Sequence, residues 1–166
     1  KIFYGLGAIK SVGFEAISNI VNEREKNGKF KNFTDFINRV DPKDVNKLQL
    51  EGLVKAGAFD DIDLNRKKLF EAIPKIIQTI KSKHEEKVSN QKNLFDNINN
   101  KENEIFEFDS AKEWSKKELL AEEFTSLGFY ISDHPLNVYK EFFTHLEVNP
   151  YKDFLESDKS ESLVAG

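Results

Sequence analysis

Residues 4–13 read YGLGAIKSVG and residues 14–28 read FEAISNIVNEREKNG, and this junction decides the fold. Gly5, Gly7 and Gly13 stand among Ile2, Leu6, Ile9 and Val12. Beyond them Phe14, Ile17, Ile20, Val21 and Arg24 recur at helical spacing and share one face, with Lys26, Asn27 and Gly28 ending the run. A short helix over roughly Gly5 to Lys10 is expected before the turn. In the turn itself, Ser11 to Gly13, Val12 packs inward and the flanking amides stay free. Gly13 supplies positive φ or a close backbone approach, neither of which a β-carbon permits cheaply. Apolar helix, short glycine turn, apolar helix presents a row of backbone N–H groups to a phosphate. The competing reading is a plain helical corner with glycine as its cap.

A second hairpin follows. Val45, Leu48, Leu50, Leu53 and Val54 form the apolar positions of one helix, Gly57, Ala58 and Phe59 make a turn, and Asn65 caps a helix carrying Leu69, Ile73, Ile76, Ile77 and Ile80. Between the hairpins, Phe30, Phe33, Phe36, Ile37 and Val40 form a short connecting helix, with Thr34 or Asn32 as cap and Asp41-Pro42 as the break. Pro74 lies inside the last helix, where it removes a donor and clashes with the preceding turn, so a kink or restart is expected. Five short helices of this kind share one core, and the fold class is mainly α.

The net charge of −4 conceals an asymmetry. Residues 1–83 carry 16 Lys and Arg against 11 Asp and Glu, a net +5, whereas residues 84–166 carry 9 against 18, a net −9. The N-terminal half is therefore the electrostatic partner for phosphates. The absence of cysteine excludes disulfides and thiolate metal sites. His84, His134 and His145 share no ligand spacing, so no metal is assigned. There is no apolar run long enough to span a bilayer and no signal peptide at the start, so a soluble, cytoplasmic protein is expected. A chain that begins at Lys1 and lacks methionine reads as a segment of a longer protein.

From Ser82 to about Asp109 the chain is polar and rich in Asn, Lys and Glu, as a linker or mobile loop would be. Within it stands one apolar island, Gln91-Lys92-Asn93-Leu94-Phe95. Leu94 and Phe95 either fold back on the core or are offered to a partner as a short peptide whose glutamine supplies hydrogen bonds. Ser115 and Glu118 then make a capping box for a helix with the stripe Leu119, Leu120, Phe124 and Leu127, closed by Gly128. Phe129 to Ile131 reads as a short extended piece, Asp133-His134-Pro135 as a break, and Val138, Tyr139, Phe142 and Phe143 as another short helix. Residues 162–166 look like the start of a strand.

No active site is legible. The acidic cluster Asp60, Asp61 and Asp63 sits where acidic residues favour a helix N-terminus, and Glu122 and Glu123 read as the solvent face of a helix. No nucleophile motif or phosphate loop of the nucleotide-binding type occurs.

Tyr4 to Gly13, the run from Val45 and Asn46 to Asp60 through Gly57, Ala58 and Phe59, and Leu127 to Leu136 with Gly128, Phe129, Tyr130, His134 and Pro135 together carry a resemblance. The chain resembles the C-terminal part of the bacterial replicative DNA polymerase III alpha-subunit family, over nearly its whole length. The resemblance implies a tandem helix-hairpin-helix domain over 1–83 that contacts duplex DNA through its backbone. It implies a polar linker with a clamp-binding peptide over 84–111, a helical connector over 112–161, and the start of an OB-fold, cut short, at 162–166. Gln91, Leu94 and Phe95 fall where that family carries its sliding-clamp peptide, which turns the reading of the island toward partner binding. For DNA the residues implicated are Lys10, Ser11, Val12 and Gly13 in the first hairpin and Lys55, Gly57, Ala58 and Phe59 in the second, all contacting phosphates without reading sequence. The first hairpin departs from the family in carrying Ser11 where glycine is usual. The family's catalytic aspartates lie upstream of this segment, so the parent polymerase's magnesium ions and nucleotidyl transfer belong elsewhere and no cofactor is expected here. Other replicase subunits are implied partners of the parent. Two other classes remain: a purely structural helical connector between polymerase domains, and a helix-hairpin-helix module of a DNA repair enzyme.

Overall fold

The computed structural model describes residues 4–88, 106–157 and 160–164. By packing they divide into two units, one ending at Phe129 and one beginning at Tyr130. Gln91, Leu94 and Phe95 lie outside the described residues.

In the first unit a 3-10 turn, Leu6–Ala8, leads into α1, Phe14–Asn27. The short α-helix expected over Gly5 to Lys10 is thus a single tight turn, with Ala8 N–H bonded to Gly5 O and Ile9 N–H to Leu6 O. Next come α2, Phe33–Arg39, and α3, Lys47–Lys55. Asn32 caps α2 by accepting from the Asp35 amide, and Asn46 with Gln49 forms a reciprocal capping box on α3. The long helix α4, Arg66–Val88, and then α5, Lys116–Leu127, complete the unit. Asn65 Oδ1 accepts from the Lys68 amide, and the Ser115/Glu118 box and Gly128 at φ 83° bound α5 as the sequence predicts.

Of the kink or restart expected at Pro74, the restart does not occur, and α4 runs through the proline as one helix. Leu69, Ile73, Ile76 and Ile80 are all essentially fully buried along one face. Burying four such side chains, at roughly 1.5–3 kcal/mol each, outweighs the roughly 3 kcal/mol cost of an interior proline. That face packs against α2 and α3, closing the core around Phe33, Phe36 and Phe59, whose rings meet at centroid distances of 5.0–5.5 Å.

The polar stretch from Ser82 to Asp109 is not a loop throughout, because α4 continues to Val88 and Phe106 and Phe108 return to the core. The Phe106 amide donates to Thr34 Oγ1, Phe108 stacks edge-on against Phe33 at 5.4 Å, and Lys75 and Lys68 lie over the two returning rings. Trp114 then meets Phe70.

Arg39 closes the end of α1. Its guanidinium donates to the Glu23 carboxylate, to Glu23 O and to Gly28 O, and lies over the Phe30 ring at 4.3 Å. The Asn27 amide, and then Arg39, hold the Glu23 carboxyl below its ordinary value. A lowered carboxyl contributes stability that is complete above its unfolded value, near pH 4.3, and is lost as pH falls through the folded one. Glu23→Gln is therefore expected to lower the unfolding temperature at neutral pH and to make progressively less difference as the solution is acidified through about pH 4. A gap that stays constant in pH-dependent thermal scans would contradict this.

The second unit holds a 3-10 helix, Pro135–Tyr139, running into α6, Lys140–His145, and then α7, Tyr151–Leu155. His134 Nδ1 accepts from the Leu136 amide, which makes the expected break a cap. Tyr130 and Ile131 lie in irregular backbone instead of the expected extended piece. Asn149 and Val164 form an isolated parallel bridge, with the Asn149 amide bonded to Leu163 O.

Candidate nucleic-acid interface

The first hairpin is built on a turn from Ile9 to Val12, closed by a Val12 N–H to Ile9 O bond of 3.1 Å. Ile9 and Val12 are buried, which anchors both ends and leaves Lys10 and Ser11 exposed. The positive φ expected at Gly13 falls on Ser11, at 67°. It is the third residue of the turn, where type II geometry requires φ > 0 and a β-carbon is disfavoured. Gly13 is instead the extended N-cap of α1, at φ −75° and ψ 137°.

No side chain caps α1. The first intrahelical bond is made by Ile17, to Gly13 O, and among the described residues no intramolecular acceptor is found for the amides of Gly13, Phe14, Glu15 and Ala16. Four N–H groups at a positive helix end beside an exposed Lys10 form an anion-binding surface, which the Glu15 carboxylate in the first turn opposes. Val12 serves by filling the core beneath this surface and does not reach it.

Two other elements hold the hairpin in place. The Lys10 amide donates to Ser126 O of α5 at 3.0 Å. Lys10 O in turn rests on Gly52 of α3, so closely that a β-carbon there would stand 2.8 Å from it. Sequence periodicity passed over Gly52, because a glycine inside a helix shows its purpose only when another backbone crosses it.

The second hairpin is built differently. Gly57, at φ 77°, donates to Val54 O and Ala58 donates to Leu53 O, which is the Schellman pattern closing α3. The Gly57 and Ala58 amides expected to be free for phosphate are thus engaged, and Phe59 is buried in the core. Against Gly57 lies the Arg66 guanidinium, whose Cζ would be 2.6 Å from a β-carbon at that glycine. Arg66 binds Asp60 through both carboxylate oxygens, at 2.9 and 2.6 Å, Lys55 O at 3.0 Å and Glu123 Oε1 at 3.2 Å. Burial opposes its charge, yet hydrogen bonds to Asp60 and then Glu123 outweigh that and raise it above its ordinary value. Lys55 is drawn into the same assembly, with Nζ 2.8 Å from Glu122 and over the Phe70 ring, so its charge is already matched.

Glu123, expected on the solvent face, is 0% exposed, and Asp60 serves as an arginine partner rather than as a helix-end charge. The buried face of α5 is Leu120, Glu123 and Ser126, while Phe124 of the expected apolar stripe is exposed. A polar residue at the right helical offset reads as surface until its partner, 57 residues away in sequence, is known. Among the described residues no group of three His, Cys, Asp or Glu is arranged to hold a metal ion, and no helix is long and apolar enough to cross a membrane.

The family described as helix-hairpin-helix motif matches residues 1–69, which include both hairpin turns. The chain is 43% identical over 141 residues to DNA polymerase III subunit alpha of Borreliella burgdorferi, an alignment covering 84% of this chain and 12% of that protein. The protein of the same name from Rickettsia bellii is 40% identical over 149 residues, 89% of this chain and 12% of its own length. That of Caulobacter vibrioides is 35% identical over 136 residues, 82% and 12%. The chain thus spans about 12% of the length of the curated relatives it matches.

Proposed function

We propose, from a chain that belongs to the DNA polymerase III alpha-subunit family as one segment of such a protein, that its first hairpin grips duplex DNA without sequence preference and that its polar linker over 84–111 carries a sliding-clamp peptide. The observation that carries the DNA reading is the open row of amides from Gly13 to Ala16, beside Ser11 and Lys10, inside the region matching the helix-hairpin-helix motif. Backbone donors reach phosphate oxygens that every sequence offers, so such a grip suits an enzyme that must slide. The second hairpin contributes rigidity, because its amides close α3 and Arg66 fills its concave side.

The clamp reading rests on Gln91, Leu94 and Phe95, an amide donor followed by two apolar anchors. A peptide tethered beside a DNA grip raises the effective concentration of each partner for the other. In this reading the parent protein supplies nucleotidyl transfer with magnesium from residues outside this segment, works in the bacterial cytoplasm with other replicase subunits, and continues past residue 166 into an OB-fold.

Paired titrations with duplex DNA and with a sliding clamp test both halves. Duplex affinity is expected to fall with salt by about one unit of log–log slope per phosphate engaged. Salt-insensitive binding, or none at low salt, would overturn the grip. Leu94→Ala with Phe95→Ala is expected to abolish clamp binding and leave duplex binding intact. Undiminished clamp binding would overturn the peptide assignment.

A further inference from the structure

Two apolar side chains that helical periodicity assigns to core faces are left at the surface by the fold: Phe14 is 79% exposed and Leu48 is 62% exposed. Phe14 belongs to the first hairpin and Leu48 to α3, the helix on which that hairpin rests. Phe14 is the first residue of α1, within the open amide row. Leu48 lies in the first turn of α3 and precedes Gln49, whose Nε2 would stand 3.4 Å from a β-carbon on Gly13. Exposed Lys10 accompanies them on the hairpin, and on α3 Lys47, whose Nζ lies 3.8 Å from Glu51 but whose side chain is 69% exposed and so stays within reach of a phosphate. The Phe14 ring is not loose, because its Cδ2 lies over Gly7, where a β-carbon would stand 3.2 Å away. An aromatic ring seated on a bare glycine and still open to solvent loses little conformational freedom when it binds.

We infer that Phe14 and Leu48 form an apolar footprint that packs on the deoxyribose face of the duplex between phosphates held by the α1 amides and by the flanking lysines. The inference rests on the duplex-grip reading and adds its apolar component. Sugar carbons lie between successive phosphates on either strand and carry no sequence information, so this contact strengthens the grip without making it selective. Desolvating the two side chains adds affinity that does not depend on counterion release.

The test compares duplex binding by variants of the 166-residue chain across a salt series. Phe14→Ser is expected to weaken binding about tenfold and Leu48→Ser about threefold, from the apolar area each would bury. Neither should change the salt slope or the unfolding temperature, and Phe14→Tyr should retain binding. Lys10→Gln should reduce the slope by about one unit. Leu64, equally exposed but on the second hairpin, serves as the control, and Leu64→Ser should bind as the parent chain does. Parent-like affinity in both the Phe14→Ser and Leu48→Ser variants, with the Lys10→Gln effect intact, would overturn the footprint and leave the grip standing. An equal loss from Leu64→Ser would also overturn it. Absence of salt-dependent duplex binding by the parent chain would remove the grip reading and the footprint together.

Discussion

Arg66→Leu is expected to destabilise the first unit by about 3–5 kcal/mol, the range for removing one partner of a buried ion pair. The side chain is 8% exposed and its guanidinium joins three groups, Asp60, Lys55 O and Glu123, with Gly57 packed against it. Asp60 is a third exposed and can turn to water. Glu123 cannot, since it is wholly buried on α5, and it would lose its ion pair with Arg66 at 3.2 Å. The loss should therefore trace to Glu123. Arg66→Leu combined with Glu123→Leu is expected to recover most of the stability of the parent chain, because two apolar residues of similar volume satisfy the same space. Denaturant unfolding of the two single variants and the double variant measures this. A double variant no more stable than Arg66→Leu alone would show that the network is not what holds α5 to the second hairpin.

Gly52→Ala should destabilise the chain although it improves the local helix. In an exposed helix interior the change is favourable by about 1 kcal/mol. Here the new β-carbon would stand 2.8 Å from Lys10 O and 3.2 Å from Val12 Cγ2, and the nearer obstacle is backbone. The hairpin has to lift from α3, with an overpacking cost of roughly 1–3 kcal/mol, more for Gly52→Val. Lifting it also strains the Lys10 amide bond to Ser126 O, so duplex affinity should fall with stability even though residue 52 touches no DNA. Stabilisation by Gly52→Ala, or destabilisation with duplex affinity unchanged, would refute this account of how the hairpin is seated.

The helices themselves were legible. Capping residues at Asn32, Asn65 and Ser115 are local signals, since each side chain bonds an amide three residues on. The apolar period of α4 likewise marked Leu69, Ile73, Ile76 and Ile80 as core. The same reasoning misplaced Phe14 and Leu48, because periodicity reports that a face is apolar and not whether a neighbour arrives to cover it. It missed Glu123 and Gly52 for the converse reason: a buried carboxylate and a bare helical glycine are explained only by a distant guanidinium and a crossing backbone.

The sequence alone determined a mainly helical chain with two glycine hairpins, a basic first half and an apolar peptide within a polar stretch. Those properties depend on residues close together along the chain. Only the tertiary structure decided that the two hairpins differ. The first keeps its α1 amides open, with the strained φ on Ser11, while the second spends its amides on α3 and closes around Arg66. The physical reason is that an amide is available to a ligand only if no acceptor within the fold reaches it first, and for these hairpins that depends on α3, α4 and α5 packing together.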